Sequence, residues 1–352
     1  ELNILNYLYF YNGAGTAIAD FNNDGLNDIY FTANQTADKL YLNTGDFNFK
    51  DITTDAGINN ATGWTTGVTT VDINHDGYLD IYISKVSGHL NLKGHNLLYI
   101  NQGLDDGTIS FKESAGRYSL DFAGFSTQAA FFDYDLDGDL DLYLLNHSLH
   151  PNGNYGKGAS RKIPDPLAGD RLYRNDNDQF IEVTKEAGIF SSKIGYGLGV
   201  SVGDLNQDGY PDLYIGNDFF ENDYLYINQK DGTFIELNTQ EKGLGHSSHF
   251  SMGTDIVDIN NDALADIISL DMLPEDLETL KASGAEFAYP IYQNQLRNCY
   301  ETQYMQNAQQ HNRGEGRISE IAFQILIAAT EWSWSPLAAQ FDNDVLKDLY
   351  IN

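Results

Sequence analysis

The sequence has 352 residues, of which 51 are Asp or Glu and 20 are Lys or Arg, giving a formal net charge of −31; no basic stripe is left for phosphates, which excludes DNA or RNA as a partner. Hydrophobic residues make up 41% and aromatics 13%, enough for a sizeable core, so this is not the acidity of a disordered tail. Cys299 is the single cysteine, which excludes an intrachain disulfide and a thiolate metal cluster, and no apolar run is long enough to span a membrane as a helix.

Glu1 to Tyr11 lack the charged-then-apolar layout of a signal peptide, and the sequence stops at Asn352 straight after a strand-like run. A piece of a longer protein is therefore expected, with any export signal or lipid anchor outside it.

Along the chain one unit repeats. It consists of a small-residue run, an Asp-rich turn, a short apolar run and two further strand-like runs. The first copy reads GTAIA (15–19), DFNNDGLND from Asp20, Ile29-Tyr30-Phe31, KLYLN from Lys39 and FNFKDIT from Phe47. The second reads GVTTV (67–71), DINHDGYLD from Asp72, Ile81-Tyr82-Ile83, a longer connection over about 84–95, NLLYIN from Asn96 and ISFKES from Ile109. In the third, QAAFF (128–132) and DYDLDGDLD from Asp133 lead to Leu142-Tyr143-Leu144, then an insertion over 146–170, RLYRN from Arg171 and QFIEVT from Gln179. The fourth runs GVSVG (199–203), DLNQDGYPD from Asp204, Leu213-Tyr214-Ile215, YLYIN from Tyr224 and TFIEL from Thr233. The fifth keeps GTDIV (253–257), DINNDALAD from Asp258 and Ile267-Ile268, followed by an insertion over 271–297. The sixth has only QFDNDVLKD from Gln340 and Leu349-Tyr350-Ile351.

Period-two runs rich in aromatic and β-branched residues are strands. Four per repeat predict an all-β fold, a β-propeller of four-stranded blades spanning 1–352 as one domain. The small-residue run suits the innermost strand, where blades crowd together. In the fifth insertion PEDLETLKA from Pro274 predicts a short helix, with Pro in its first turn and acids following.

The turns have the composition of a calcium site. Calcium takes six to eight oxygens from carboxylates, amides and backbone carbonyls, and each nine-residue loop offers side-chain oxygens at positions 1, 3, 5 and 9, a carbonyl at 7 and Gly at 6 for the bend. The ligand sets are Asp20, Asn22, Asp24, Leu26 and Asp28; Asp72, Asn74, Asp76, Tyr78 and Asp80; Asp133, Asp135, Asp137, Asp139 and Asp141; and Asp204, Asn206, Asp208, Tyr210 and Asp212. The fifth, Asp258, Asn260, Asp262, Leu264 and Asp266, has Ala263 in place of Gly and is expected to bind more weakly. The sixth retains Asp342, Asp344, Leu346 and Asp348 behind Gln340, and its occupancy stays open. Four to six structural Ca2+ ions are therefore expected. An EF-hand is excluded, because position 12 is never Glu and the flanks are strands, not helices.

These loops resemble the FG-GAP or VCBS repeat, the calcium-loop blade of the integrin α-subunit propeller. Segments such as YNGAGTAIADFNNDGLNDIYFTAN, STQAAFFDYDLDGDLDLYLLNHS and WSWSPLAAQFDNDVLKDLYIN are similar to bacterial VCBS-repeat surface lipoproteins and the cartilage-acidic-protein group with its C-terminal ASPIC/UnbV domain, which is not visible here. The resemblance implies a seven-bladed, non-enzymatic propeller outside the cytoplasm, lipid-anchored at the outer-membrane surface and possibly part of a larger assembly there. With six loops in the sequence, the seventh blade is expected outside it, unless the ring has six. The stretch 298–329 departs most from the pattern.

Because the Asp loops join the first and second strands, the long connections between second and third strands are expected at the opposite end of each blade, where recognition loops on a rigid scaffold are found. The third insertion gathers His147, His150, Tyr155, Lys157, Arg161 and Lys162, a basic cluster in an acidic chain that suits a protein or an acidic glycan. Trp64, Trp332 and Trp334 are expected in the core, with sugar stacking as the alternative. The other function class is a polysaccharide lyase or hydrolase, for which His147, His150, His246 and His249 are the suggestive imidazoles. No nucleophile elbow, phosphate loop or zinc helix supports it.

Overall fold

Each Asp-rich turn joins two short strands that are neighbours in one sheet in all six repeats of the computed structural model, antiparallel in repeats one, two, four, five and six. The structure describes residues 2–60, 62–105, 108–149, 156–237, 243–283 and 288–352. Five of the repeats add two more strands in chain order, giving five four-stranded sheets. Sheet one is Thr16–Ala19, Asp28–Phe31, Lys39–Asn43 and Phe49–Asp51; sheet two is Trp64–Val71, Asp80–Val86, Leu97–Asp105 and Thr108–Glu113. Sheet three is Ser126–Phe132, Asp141–Asn146, Arg171–Asn175 and Phe180–Glu182; sheet four is Gly197–Gly203, Asp212–Asn217, Tyr224–Asn228 and Phe234–Glu236. The fold class the repeat predicts, all-β with four-stranded blades, is what forms.

The fifth sheet corrects the reading of 298–329 as off-pattern. That stretch supplies its third and fourth strands, Ala308–Asn312 and Ile318–Glu320, beside Thr254–Val257 and Asp266–Ser269. AQQHN is too polar to announce a strand, yet all of it except His311 is buried. The sixth sheet has two strands, Pro336–Ala339 and Asp348–Ile351. Helices occupy the fifth insertion, at Leu277–Ser283 as expected and also at Tyr289–Arg297, which is preceded by Ala288 and carries Pro in its first turn.

Two compact units result. The first comprises 1–131, 139–149 and 166–183, the second 132–138, 150–165 and 184–352. In the first, sheets one and two bury Tyr30, Leu40, Ile81, Ile83 and Phe111 in a common core. Sheets two and three share another around Tyr82, Leu98, Leu142, Leu144 and Tyr173. In the second unit Leu205, Tyr214, Leu225, Leu244 and Ile267 join sheets four and five.

The small-residue strands do sit where backbones crowd. A Cβ on Gly67 would stand 2.3 Å from the Thr127 carbonyl oxygen of the next innermost strand, and one on Gly253 would stand 2.3 Å from that of Trp334. No side chain fits there. Of the tryptophans, Trp64 is buried against Tyr7 and Phe10, as expected of a core residue. Trp332 and Trp334 are instead 65% and 36% exposed, because the two-stranded sheet beside them offers little surface to cover them.

Candidate metal loops and the insertion end

All six loops have the same backbone. Position 4 lies in the left-handed region in every copy (Asn23, His75, Leu136, Gln207, Asn261, Asn343), and position 6 does so as Gly25, Gly77, Gly138, Gly209, Ala263 and Val345. Glycine takes that conformation freely, whereas Ala and especially the β-branched Val are strained in it. In the first five loops the position-1 carboxylate accepts the backbone N–H groups of positions 5 and 6. Asp20, for example, takes Asp24 at 3.1 Å and Gly25 at 2.7 Å, and Asp258 takes Asp262 and Ala263 in the same way. Gln340 cannot supply those two carboxylate oxygens.

Position 9 anchors the loop to the sheet. Asp28, Asp80, Asp141, Asp212 and Asp266 are fully buried, whereas Asp348 is only half-buried. Each of the five accepts the backbone N–H of an Asn in the third strand, namely Asn43, Asn101, Asn175, Asn228 and Asn312, the last residue of that strand in every sheet but the second. That Asn donates its side-chain amide to the position-8 carbonyl. Three of the five also reach the preceding loop: Asn101 bonds the carbonyl of Phe21, Asn228 that of Tyr134 and Asn312 that of Leu205. Position 4 ties loops together as well, through Asn23 to the Gly77 carbonyl, Gln207 to Ala263 and Asn261 to Val345. Sequence reasoning missed both sets of residues, although the signal was an Asn closing each third-strand motif, as in KLYLN, NLLYIN, RLYRN and YLYIN. His75, at position 4 of the second loop, is exposed.

The oxygens of these loops suit a hard cation. In the third loop, carboxylate oxygens of Asp133, Asp135 and Asp141 lie within 4.8 Å of one another, a grouping that repels itself without a counter-charge. Burial pushes Asp80 up to about 7 and Asp212 to about 6, with Asp76 and Asp72 adding to the first and Asp208 and Asp204 to the second. All donors are oxygens, with neither sulfur nor imidazole among the expected ligands, which is a calcium-type set and not a zinc-type one.

At the other end of each sheet a second lock repeats. The residue before the third strand, Asp38, Asn96, Asp170, Asp223 or Asn307, accepts a backbone N–H from the end of the second strand. In the first four sheets it also bonds the hydroxyl of the second-strand tyrosine: Tyr30 with Asp38, Tyr82 with Asn96, Tyr143 with Asp170 and Tyr214 with Asp223. Burial raises Asp170 and Asp223 to about 7.

The insertions emerge at this end, but two of the proposed partner residues are not available there. His147 is wholly buried, with Nε2 3.2 Å from the Tyr7 hydroxyl, Nδ1 2.9 Å from the Ser148 carbonyl and its ring stacked on Phe125; burial depresses it to about 4. Arg161, on the 3-10 turn Gly158–Lys162, is spent inside its own unit: it donates to Glu221 at 2.7 Å and Asn222 at 2.7 Å and lies 3.6 Å from Glu301. It thereby ties the third insertion to the short connection of sheet four and to the segment after Tyr289–Arg297. Gly158 seats that contact, since a Cβ there would stand 2.0 Å from the Cys299 carbonyl oxygen. Lys157 and Lys162 are exposed, and His150 and Tyr155 lie outside the described residues. His246 sits 3.6 Å from Glu320, and buried His249 bonds Gln303 at 3.3 Å.

Comparison with known proteins agrees with the repeat. The family model described as FG-GAP-like repeat matches residues 20–83, 163–215 and 205–269, so the chain carries FG-GAP-like repeats. Cartilage acidic protein 1 of Homo sapiens is 30% identical over 57% of this chain and 29% of its own length; that of Mus musculus is 28% identical over 72% and 39%. The chain thus spans well under half the length of these relatives. Among solved structures, an Agrocybe aegerita lectin described for recognising non-reducing terminal N-acetylglucosamine is 17% identical with a TM-score of 0.36, covering 86% of this chain and 78% of that one. No helix among the described residues is long and apolar enough to cross a membrane.

Proposed function

We propose that this chain of FG-GAP-like repeats is a calcium-stabilised binding or assembly module that works outside the cell or at its surface, belongs to the same family as its cartilage-acidic relatives, and is not an enzyme. The observation that carries the reading is one loop backbone recurring six times with oxygen donors at fixed positions. Side chains at positions 1, 3, 5 and 9 would hold the ion with the position-7 carbonyl. When bound, calcium supplies the positive charge that lets the carboxylates crowd together. The chain's own residues do the rest: position 9 fixes the first five loops to the third strand, and in loops one, four and five position 4 ties the loop to the next one. The recognition surface, for a protein or glycan, is the insertion end, with exposed Lys157 and Lys162 as its positive points. Attachment to an outer membrane would come from a segment outside this sequence.

Metal analysis after dialysis tests the first half: four to six calcium ions per chain are expected, fewer by one when Asp133 and Asp137 are both changed to Asn, and a metal-free protein contradicts it. Retention of envelope partners tests the second, with loss expected for Lys157→Glu combined with Lys162→Glu. A polysaccharide-active enzyme is the second reading. In its favour, burial raises Glu236 to about 8, the state a general acid needs. Turnover of acidic polysaccharides, abolished by Glu236→Gln, would establish it.

A further inference from the structure

We propose that a cleft at the loop end of the second sheet binds a neutral sugar unit of a glycan. The cleft has a volume of about 350 Å³ and lies wholly within the first unit, in the size range of sites for small ligands. Its walls come from three places: Asp76 and Tyr78 of the second Asp loop with Gln102 of the adjoining strand, Arg117 and Tyr118 of the short helix Ala115–Tyr118, and Asp178 of the turn before the last strand of sheet three.

Three of these side chains form no hydrogen bond or ion pair with another described side chain. Arg117 is exposed, lies 5.3 Å from the centroid of the Tyr118 ring and forms no ion pair among the described residues, in a chain with 51 acids. Tyr118 is 2% exposed, yet its hydroxyl makes no hydrogen bond among the described residues. The Asp178 carboxylate likewise accepts none there. A guanidinium, a hydroxyl and a half-buried carboxylate therefore line one cleft with no hydrogen bond to another described side chain, a donor and acceptor set that water fills in the free protein and a ligand can take over. Vicinal hydroxyls are that counterpart, because each gives one hydrogen bond and takes others. The Tyr78 ring, packed on Gly103, adds an aromatic wall for the C–H face of a sugar ring.

Charge selects the class. Asp72, Asp76, Asp80 and Asp178 against Arg117 leave three net negative charges, and one when a divalent ion occupies the loop, so an anion is disfavoured in both states. An organic cation is drawn by the carboxylates but leaves the donors of Arg117 and Tyr118 unpaired. A neutral polyhydroxylated ring meets neither penalty. This site is independent of recognition at the insertion end.

Saturation-transfer-difference NMR on the full chain in calcium buffer tests it, with methyl glycosides of neutral hexoses and N-acetylhexosamines as probes and methyl glucuronide and choline as charged controls. At least one neutral glycoside is expected to bind saturably at millimolar concentration, with silent controls. Arg117→Ala and Asp178→Asn should each weaken it about tenfold, the loss of one charge-assisted hydrogen bond, at unchanged melting temperature; Tyr118→Phe should also weaken it. No signal from any neutral glycoside, tighter binding of a charged control, or binding that survives these substitutions would overturn the proposal.

Discussion

The two ends of the sheets are held by different kinds of contact. At the Asp-loop end the same short-range bonds recur sheet after sheet, position 1 to the turn and position 9 to the third-strand Asn. At the insertion end the lock before the third strand recurs, and among the described residues what fixes the third insertion is particular to it: the buried ring of His147 under Tyr7 and Tyr9, and Arg161 between Glu221 and Glu301. A repeated end spreads its stability over many equivalent bonds. An end built from single contacts concentrates it.

That contrast makes Arg161 the most sensitive position. Arg161→Met leaves Glu221 buried without its partner, which costs about 3 to 5 kcal/mol, read from urea unfolding. Glu221 is already raised to about 7 by burial, with Arg161 holding it down. Without Arg161 it rises further, and a carboxyl raised in the folded state loses its contribution as pH increases. The deficit should therefore be larger at pH 8 than at pH 5; equal deficits would show that the ion pair is not what holds the insertion.

At the loop end Asn228→Ala removes the amide bonds to Tyr134 and Pro211 and the acceptor for Lys230 N–H, about 1 kcal/mol each, so a loss of about 2 to 3 kcal/mol is expected. An effect below about 0.5 kcal/mol would remove the Asn lock from the account. Asp170→Asn should cost little, since Asn96 and Asn307 fill the equivalent position. It should, however, flatten the pH dependence. Asp170 is raised from 3.8 to about 7, so its contribution is present in acid and is lost as pH climbs towards 7, a slope of up to about 1.4 kcal/mol per pH unit that the variant lacks. His147 and His249, depressed to about 4 by burial, act in the opposite sense, losing stability as pH falls below about 6.5, and the difference between the two proteins cancels them. The smallest effect is a gain: Ala263→Gly relieves a left-handed alanine and should add about 0.5 to 1 kcal/mol in thermal melts, whereas a loss would mean that loop five does not share the backbone of the first four.

The same contrast explains what the sequence made legible. Loops and strands were readable because their determinants are local: fixed Asp spacing, a glycine at the bend, alternation along a strand. The third and fourth strands of the fifth sheet escaped because Gln309, Gln310 and His311 carry no apolar signature, although Asn312 completes the repeated lock. Arg161 reads as a free basic residue in a polar loop, and its partners Glu221 and Glu301 stand far along the chain. His147 is hidden for the same reason, because Tyr7 and Tyr9, which help to bury it, stand about 140 residues earlier in the chain.

On the proposed reading, oxygen-lined loops on a common backbone hold calcium and the fold depends on it. Thermal melting of one preparation, with millimolar calcium and then with a chelator, tests this directly. An ion present at a hundred times its Kd stabilises by about 2.7 kcal/mol per site, so four or more occupied loops predict a fall in Tm of well over ten degrees when calcium is withdrawn and recovery when it returns. Superimposable curves in calcium and chelator would contradict the account.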